Sequence, residues 1–375
     1  MKKCFLLCCV GIFCSLFAFA PAALAAPDFS GAEGAMLMEV DTQRVLACEN
    51  PDEQLPMAST TKIMTAILAI EKGDLSDTVT VSENAAGVEG SSIWLSEGEH
   101  LTLEDLLYGL MLSSGNDAAV AIAEHIGGSV EEFVADMNAK AQELGALNTH
   151  FVTPNGLHDS EHYTTARDLA LITVYAMKND TFRTIVSTEY KEIPWEGHEY
   201  SRVLRNKNRN LWQYDGATGV KTGYTTDAGR CYVGSAKREG MEVVCVLLND
   251  YDMFADSREI MDYAFTNYQN VHIVSKDDII GRVTVENGIG KSVRVKTSKD
   301  FVYPCSADEQ TAIQKEIVLP KTVQAPVKSG EALGKMNISI DGVLLASIPL
   351  IADDSVAENT YTYNLNRVLS EYLFG

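Results

Sequence analysis

Residues 59–72 form a segment that is apolar on almost every side. Ile63, Met64, Ala66, Ile67, Leu68 and Ile70 leave a helix of 3.6-residue period almost no solvent face, and Gly73 stops it. Such a helix belongs in the middle of a domain, with other elements packed around it. Further helices are predicted at 103–112, 117–126, 130–144 and 165–177. A hairpin is predicted from 35–40 and 44–48 around Asp41-Thr42-Gln43, and strands at 231–236 and 242–248, joined by Lys237-Arg238-Glu239-Gly240. A helix over 256–268 closes this first unit. Near Asn270 the pattern changes to short β-rich runs at 271–274, 281–285, 292–295, 316–319, 336–340 and 343–348. Asp341-Gly342 marks a tight hairpin between the last two. The tail 361–374 returns to helical spacing, with Tyr361, Leu365, Val368, Leu369 and Tyr372 in phase.

The first 25 residues read as an export signal. Met1-Lys2-Lys3 precedes an apolar run, and Ala23-Leu24-Ala25 gives the small residues of a cleavage site. Four of the eight cysteines fall in that leader. The other four, Cys48, Cys231, Cys245 and Cys305, read as mostly packed thiols, because a chain of this length does not need staples. The 30 Lys and Arg residues face 52 Asp and Glu, a net charge of −22. A surface of that sign repels phosphate backbones, so nucleic acid is not expected as a partner.

Three short motifs follow one another: Ser59-Thr60-Thr61-Lys62, Ser114-Gly115-Asn116 and Lys221-Thr222-Gly223. Each is weak alone. S-x-x-K and S-x-N each occur about once by chance in ~350 residues, and Ser82-Glu83-Asn84 is a second S-x-N. Placement carries the signal: the first opens the central helix, the second joins two helices, and the third lies on a strand before a hairpin. Ser and Lys three apart share a helix face, so the amine can reach the hydroxyl. Serine needs a base beside it, and lysine serves only when neutral, which burial and a nearby cation both favour. Lys221 could be that cation. The competing structural reading makes Ser59 a helix N-cap and Lys62 a solvated surface lysine.

In this order the motifs resemble those of serine D-alanyl-D-alanine carboxypeptidases, the low-molecular-mass penicillin-binding proteins. Pro56–Thr65, Ser113–Ala118, Asn155-Gly156-Leu157, His162–Ala170 and Asp215-Gly216 are also similar to family text. The resemblance covers about residues 33–268, and the β-rich part and tail match the family layout. It implies an α+β fold: a β-lactamase/transpeptidase-like catalytic domain (26–268) with an antiparallel sheet and a helical lobe. A small all-β domain (269–357) and an amphipathic C-terminal helix (358–375) would follow. It also implies that Ser59 is acylated, that Lys62 is its base and that Ser114 relays protons. Asn116, Lys221, Thr222, Gly223, Tyr224 and Arg209 would bind substrate, with the N–H groups of Ser59 and Tyr224 forming an oxyanion hole. The expected substrate is the peptidoglycan stem peptide, with β-lactams as acylating inhibitors and no cofactor. Met253 departs from the family, which is expected to have arginine there; Arg258 is the expected substitute.

His158-Asp159-Ser160-Glu161-His162 superficially resembles metal ligands, but no third ligand is signalled, so no metal is expected. Trp94, Trp195 and Trp212 read as packing residues rather than sugar platforms. The tail allows peripheral contact with the outer face of the cytoplasmic membrane or docking on the protein. Rival functions are a serine β-lactamase and a catalytically silent wall-binding adaptor. An obvious E-x-x-x-N loop is missing between Ser114 and Lys221, which weighs against the first. The intact motifs weigh against the second.

Overall fold

The computed structural model describes residues 26–374, so the expected leader lies outside the described residues. A five-stranded antiparallel sheet organises the first unit. Its order is Val45–Glu49, Gly34–Glu39, Met241–Leu248, Gly229–Arg238 and Ala217–Thr225. Every residue of Met241–Leu248 is buried, so both faces of the sheet are covered. The period of two divides them. Val244, Val246 and Leu248 enter the core around the central helix, while Val243, Cys245 and Leu247 pack with Ile260, Met261 and Ala264 of the helix Met253–Asn267.

The central segment is built as predicted, with one difference. It opens as a 3₁₀ turn, Ala58–Thr61, and becomes α-helical only at Lys62–Lys72. The hydroxyls of Thr60 and Thr61 donate to the carbonyls of Met57 and Ala58, at 2.6 and 2.8 Å, and tighten that turn. Helices Leu103–Leu112, Asn116–Gly127, Val130–Glu143 and Ala166–Ala176 complete the helical lobe. Thr102, Ser129 and Thr165 cap three of them through their side chains. A further helix, Asp180–Ser187, capped by Asn179, was not anticipated. Phe182, Ile185 and Val186 do give it helical i, i+3, i+4 spacing, but over only about two turns.

The second unit is a six-stranded sheet plus the paired strands Gln269–Val274 and Phe301–Cys305. The Asp341-Gly342 hairpin takes positive φ at both residues, 48° and 79°, as its two-residue turn requires. Arg44 ties the units together. Its guanidinium lies 5.1 Å from the ring centres of both Tyr268 and Tyr303 and donates to Glu309 at 3.0 Å. The helix Tyr361–Phe374 leaves Tyr361, Val368, Leu369, Tyr372 and Leu373 exposed. Among the described residues no helix is long and apolar enough to cross a membrane. Cys231, Cys245 and Cys305 are buried free thiols, and Cys48 is a free thiol at the surface.

Candidate active site

The central helix places Lys62 fully inside the protein and leaves Ser59 half-buried at its mouth. Lys62 Nζ meets three oxygens: Ser59 Oγ at 2.8 Å, Asn116 Oδ1 at 2.7 Å and the Asn155 carbonyl at 2.6 Å. The amide of Asn116 is oriented, because its Nδ2 donates to the Glu89 carbonyl at 2.7 Å. Two of the three partners can therefore only accept. Burial drives the Lys62 amine well below its ordinary range, and the charges of Lys221 and Lys207 push the same way. A neutral amine has two N–H groups and one lone pair. In that form the two carbonyls would use the N–H groups and leave the lone pair for the Ser59 hydroxyl, 2.8 Å away. The N-cap and solvated-lysine reading fails on both residues: Ser59 caps nothing and Lys62 sees no water.

The third motif lies on the free edge of the sheet, in Ala217–Thr225. Lys221 is buried, donates to the Thr222 carbonyl at 2.8 Å, and is brought down to about 7, mainly by burial and then by Lys207. Gly223 brings this strand against the serine turn. A Cβ there would stand 3.0 Å from Ser59 N, 3.1 Å from Ala58 Cβ and 3.2 Å from the Met57 carbonyl. Gly156 makes a similar approach from the other side, since its Cβ would fall 2.0 Å from the Ala58 carbonyl. Ser114 is held at φ 62°, an uncommon conformation for serine that marks a site under constraint.

A cavity of about 330 Å³ opens over these groups, with Ser59, Ser114, Thr222, Gly223, Tyr224 and Arg209 on its wall. Lys62, Asn116 and Lys221 lie behind that wall, buried in the protein. Met253 lines it where an arginine was expected. Arg258 does not replace that arginine. It donates to Asn210 Oδ1 at 3.1 Å and is absent from the cavity lining, because the helix carrying it aims it at the Asn210 turn. The cations that do line the cavity are Lys207, Arg209 and Arg230, of which Arg230 pairs across the sheet with Tyr224. Arg230 donates to the Tyr251 carbonyl at 3.0 Å and lies 4.5 Å from that ring's centre. Sequence reasoning passed over Arg230 and also Lys207, whose Nζ donates to Ser91 Oγ at 3.0 Å. The strand period places Arg230 beside Tyr224 only once the hairpin register is known.

His162 has a structural post. Its Nδ1 accepts from Val152 N at 2.9 Å, so Nε2 carries the proton and donates to Thr61 Oγ1 at 2.7 Å. Burial holds its pKa near 4, hence neutral. Among the described residues no cluster of His, Cys, Asp or Glu has metal-binding geometry. The extra S-x-N motif is a cap: Ser82 accepts from Ala85 N at the head of Glu83–Ala86.

Comparison with known proteins agrees with this geometry. Residues 22–252 match the family model of D-alanyl-D-alanine carboxypeptidase, and residues 268–358 match that of the penicillin-binding protein 5 C-terminal domain. The chain is 34% identical to the D-alanyl-D-alanine carboxypeptidase DacF of Bacillus subtilis, with 99% of each chain covered. It is 31% identical to DacC of Escherichia coli, over 92% of this chain and 90% of that one. The crystal structure of penicillin-binding protein 5 from Haemophilus influenzae superposes with a TM-score of 0.76 at 29% identity, covering 89% of this chain and all of that one. The protein therefore belongs to the serine D-alanyl-D-alanine carboxypeptidase family, with the penicillin-binding protein 5 type of β-domain following its catalytic unit.

Proposed function

We propose that this protein removes the terminal D-alanine from peptidoglycan pentapeptide stems through an acyl-enzyme on Ser59. The Lys62 lone pair takes the Ser59 proton as Oγ attacks the penultimate D-alanine carbonyl. Backbone N–H groups of Ser59 and Tyr224 receive the developing oxyanion. The proton passes by way of Ser114 to the departing D-alanine nitrogen, the C–N bond breaks, and water later hydrolyses the ester by the reverse relay. Asn116 holds the peptide amide. Thr222, Arg209 and Arg230 take the terminal carboxylate, with Lys221 and Gly223 shaping the strand beside it. β-Lactams acylate the same serine because their strained amide resembles the D-Ala-D-Ala unit.

The observation that carries this reading is the environment of Lys62, buried and bonded to two pure acceptors and one hydroxyl. The reading also has the chain exported after loss of a leader at 1–25, with a catalytic unit at 26–268 and a β-unit at 269–357. The tail 358–375 then rests against the outer face of the cytoplasmic membrane. The apolar residues exposed on Tyr361–Phe374 support that last point, and the net charge of −22 weighs against nucleic acid.

Fluorescent penicillin tests the site. Stable labelling of the wild type, its loss in Ser59→Ala, and D-alanine release from a free pentapeptide are expected. Labelling that survives in Ser59→Ala would place the nucleophile elsewhere. Rapid loss of the label would indicate a β-lactamase, and no labelling at all a silent adaptor.

A further inference from the structure

Trp94 contradicts its expected role as a packing residue: it is 72% exposed and sits at φ 63°, a costly conformation for a bulky side chain. Everything around it is fastened. Its N–H donates to Ser92 Oγ at 2.8 Å, and Ser92 Oγ donates to buried Asp117 at 2.6 Å. The N–H groups of Ile93 and Leu95 donate to the same carboxylate, at 3.0 and 3.1 Å, and both side chains are buried. The Trp94 carbonyl accepts from Arg202 at 3.1 Å. Arg202 is itself buried in an ion pair with Glu99 at 2.9 Å and lies 4.8 Å from the Trp195 ring centre. Trp195 packs against His198 and Tyr200, with ring centres 4.3 and 5.6 Å away. Glu196, Glu199 and Ser201 join these rings around a cavity of about 470 Å³. One buried ion pair thus fixes both segments: the Trp94 and Tyr200 rings face solvent, and half-buried Trp195 is held between Arg202 and its two aromatic neighbours.

We propose that Trp94 and Tyr200, the latter braced by Trp195, form a binding platform for the amino-sugar strand that carries the stem peptide, which rests on the carboxypeptidase reading above. Pyranose rings offer C–H faces to indole and phenol rings, and hydroxyls to flanking carboxylates. The acidic flank of Glu196 and Glu199 disfavours an anionic polymer or lipid headgroup. Reach agrees as well. Ser91 lines the active cavity, and Trp94 is three residues further on, at most about 11 Å away along the chain. The four stem residues between the cut bond and the sugar extend to about 13–14 Å.

The test compares a free pentapeptide with the same pentapeptide on its disaccharide, in wild type, Trp94→Asn and Tyr200→Ser. Asparagine tolerates positive φ, so the loop keeps its shape. A preference of about five- to tenfold in kcat/KM for the glycosylated substrate, erased in both variants while the free peptide is cut at the wild-type rate, is expected. Equal rates on the two substrates in wild type, or parallel losses on both in the variants, would overturn the platform. Quenching of tryptophan fluorescence in Ser59→Ala by a peptide-free oligosaccharide of the same sugars is read separately, without catalysis. Saturable quenching that weakens at least fivefold on adding Trp94→Asn supports the platform even if no D-alanine is released from any substrate. Absence of quenching refutes it whatever the hydrolysis results.

Discussion

Replacing Gly223 by alanine tests how closely the motif strand and the serine turn must approach. The added methyl would meet Ser59 N, Ala58 Cβ and the Met57 carbonyl at 3.0, 3.1 and 3.2 Å. Ordinary contact begins near 3.4 Å, so the two elements must separate by about 0.2–0.4 Å. Gly223 does not have positive φ, and alanine therefore adds contact without backbone strain. None of the three neighbours is the end of a flexible side chain, so the strand itself has to move. The proposed oxyanion hole spans this junction, with one donor on Ser59 and the other on Tyr224. Complete loss of one such donor costs about 10²–10³ in rate. A displacement of a few tenths of an ångström should cost about 10- to 100-fold in acylation by fluorescent penicillin and in D-alanine release. Overpacking should lower stability by about 1–3 kcal/mol in a thermal or urea melt. Gly281→Ala is the control, because its Cβ would meet nothing within 4 Å. Wild-type acylation with an unmoved melt would refute the close approach. A lowered melt with unchanged acylation would refute the placement of the oxyanion hole.

Lys221, brought down to about 7, is charged below that pH and neutral above it, so its pull on a substrate carboxylate fades as pH rises through about 7. KM should climb on that alkaline limb, and Lys207→Met, which removes the repelling cation, should move the limb upward; a downward shift would contradict the assignment. Arg230→Gln should raise KM for the pentapeptide about tenfold with little change in kcat, measured by D-alanine release, and an unchanged KM would remove Arg230 from carboxylate binding. Arg44→Ala breaks the tie to Glu309, Tyr268 and Tyr303 and should speed limited proteolysis near Tyr268 roughly five- to tenfold while leaving acylation intact.

How legible the site was depended on the kind of residue. Ser59 and Lys62 are three apart on a helix whose composition demands burial, so local spacing alone brings amine and hydroxyl together. The β-unit and its Asp341-Gly342 turn were legible for a similar local reason, since a two-residue hairpin needs φ > 0 at both positions. Arg258 failed as a substitute for the missing arginine because nearness in sequence to position 253 says nothing of direction; the helix turns it toward Asn210. Trp94 was misread because exposure of a tryptophan is settled by the loop that carries it, and that loop is set by a carboxylate and a guanidinium far along the chain.

The sequence by itself determined the three motifs, the buried central helix and the two-part layout, because periodicity, turn chemistry and burial demand are local properties of the chain. Only the tertiary structure decided the burial of Lys62 among its acceptors, the entry of Arg230 and Lys207 into the cavity, and the exposure of the Trp94 and Tyr200 rings. Each depends on which distant groups are brought within a few ångströms, where desolvation and charge act strongly and from where the chain order gives no measure of distance.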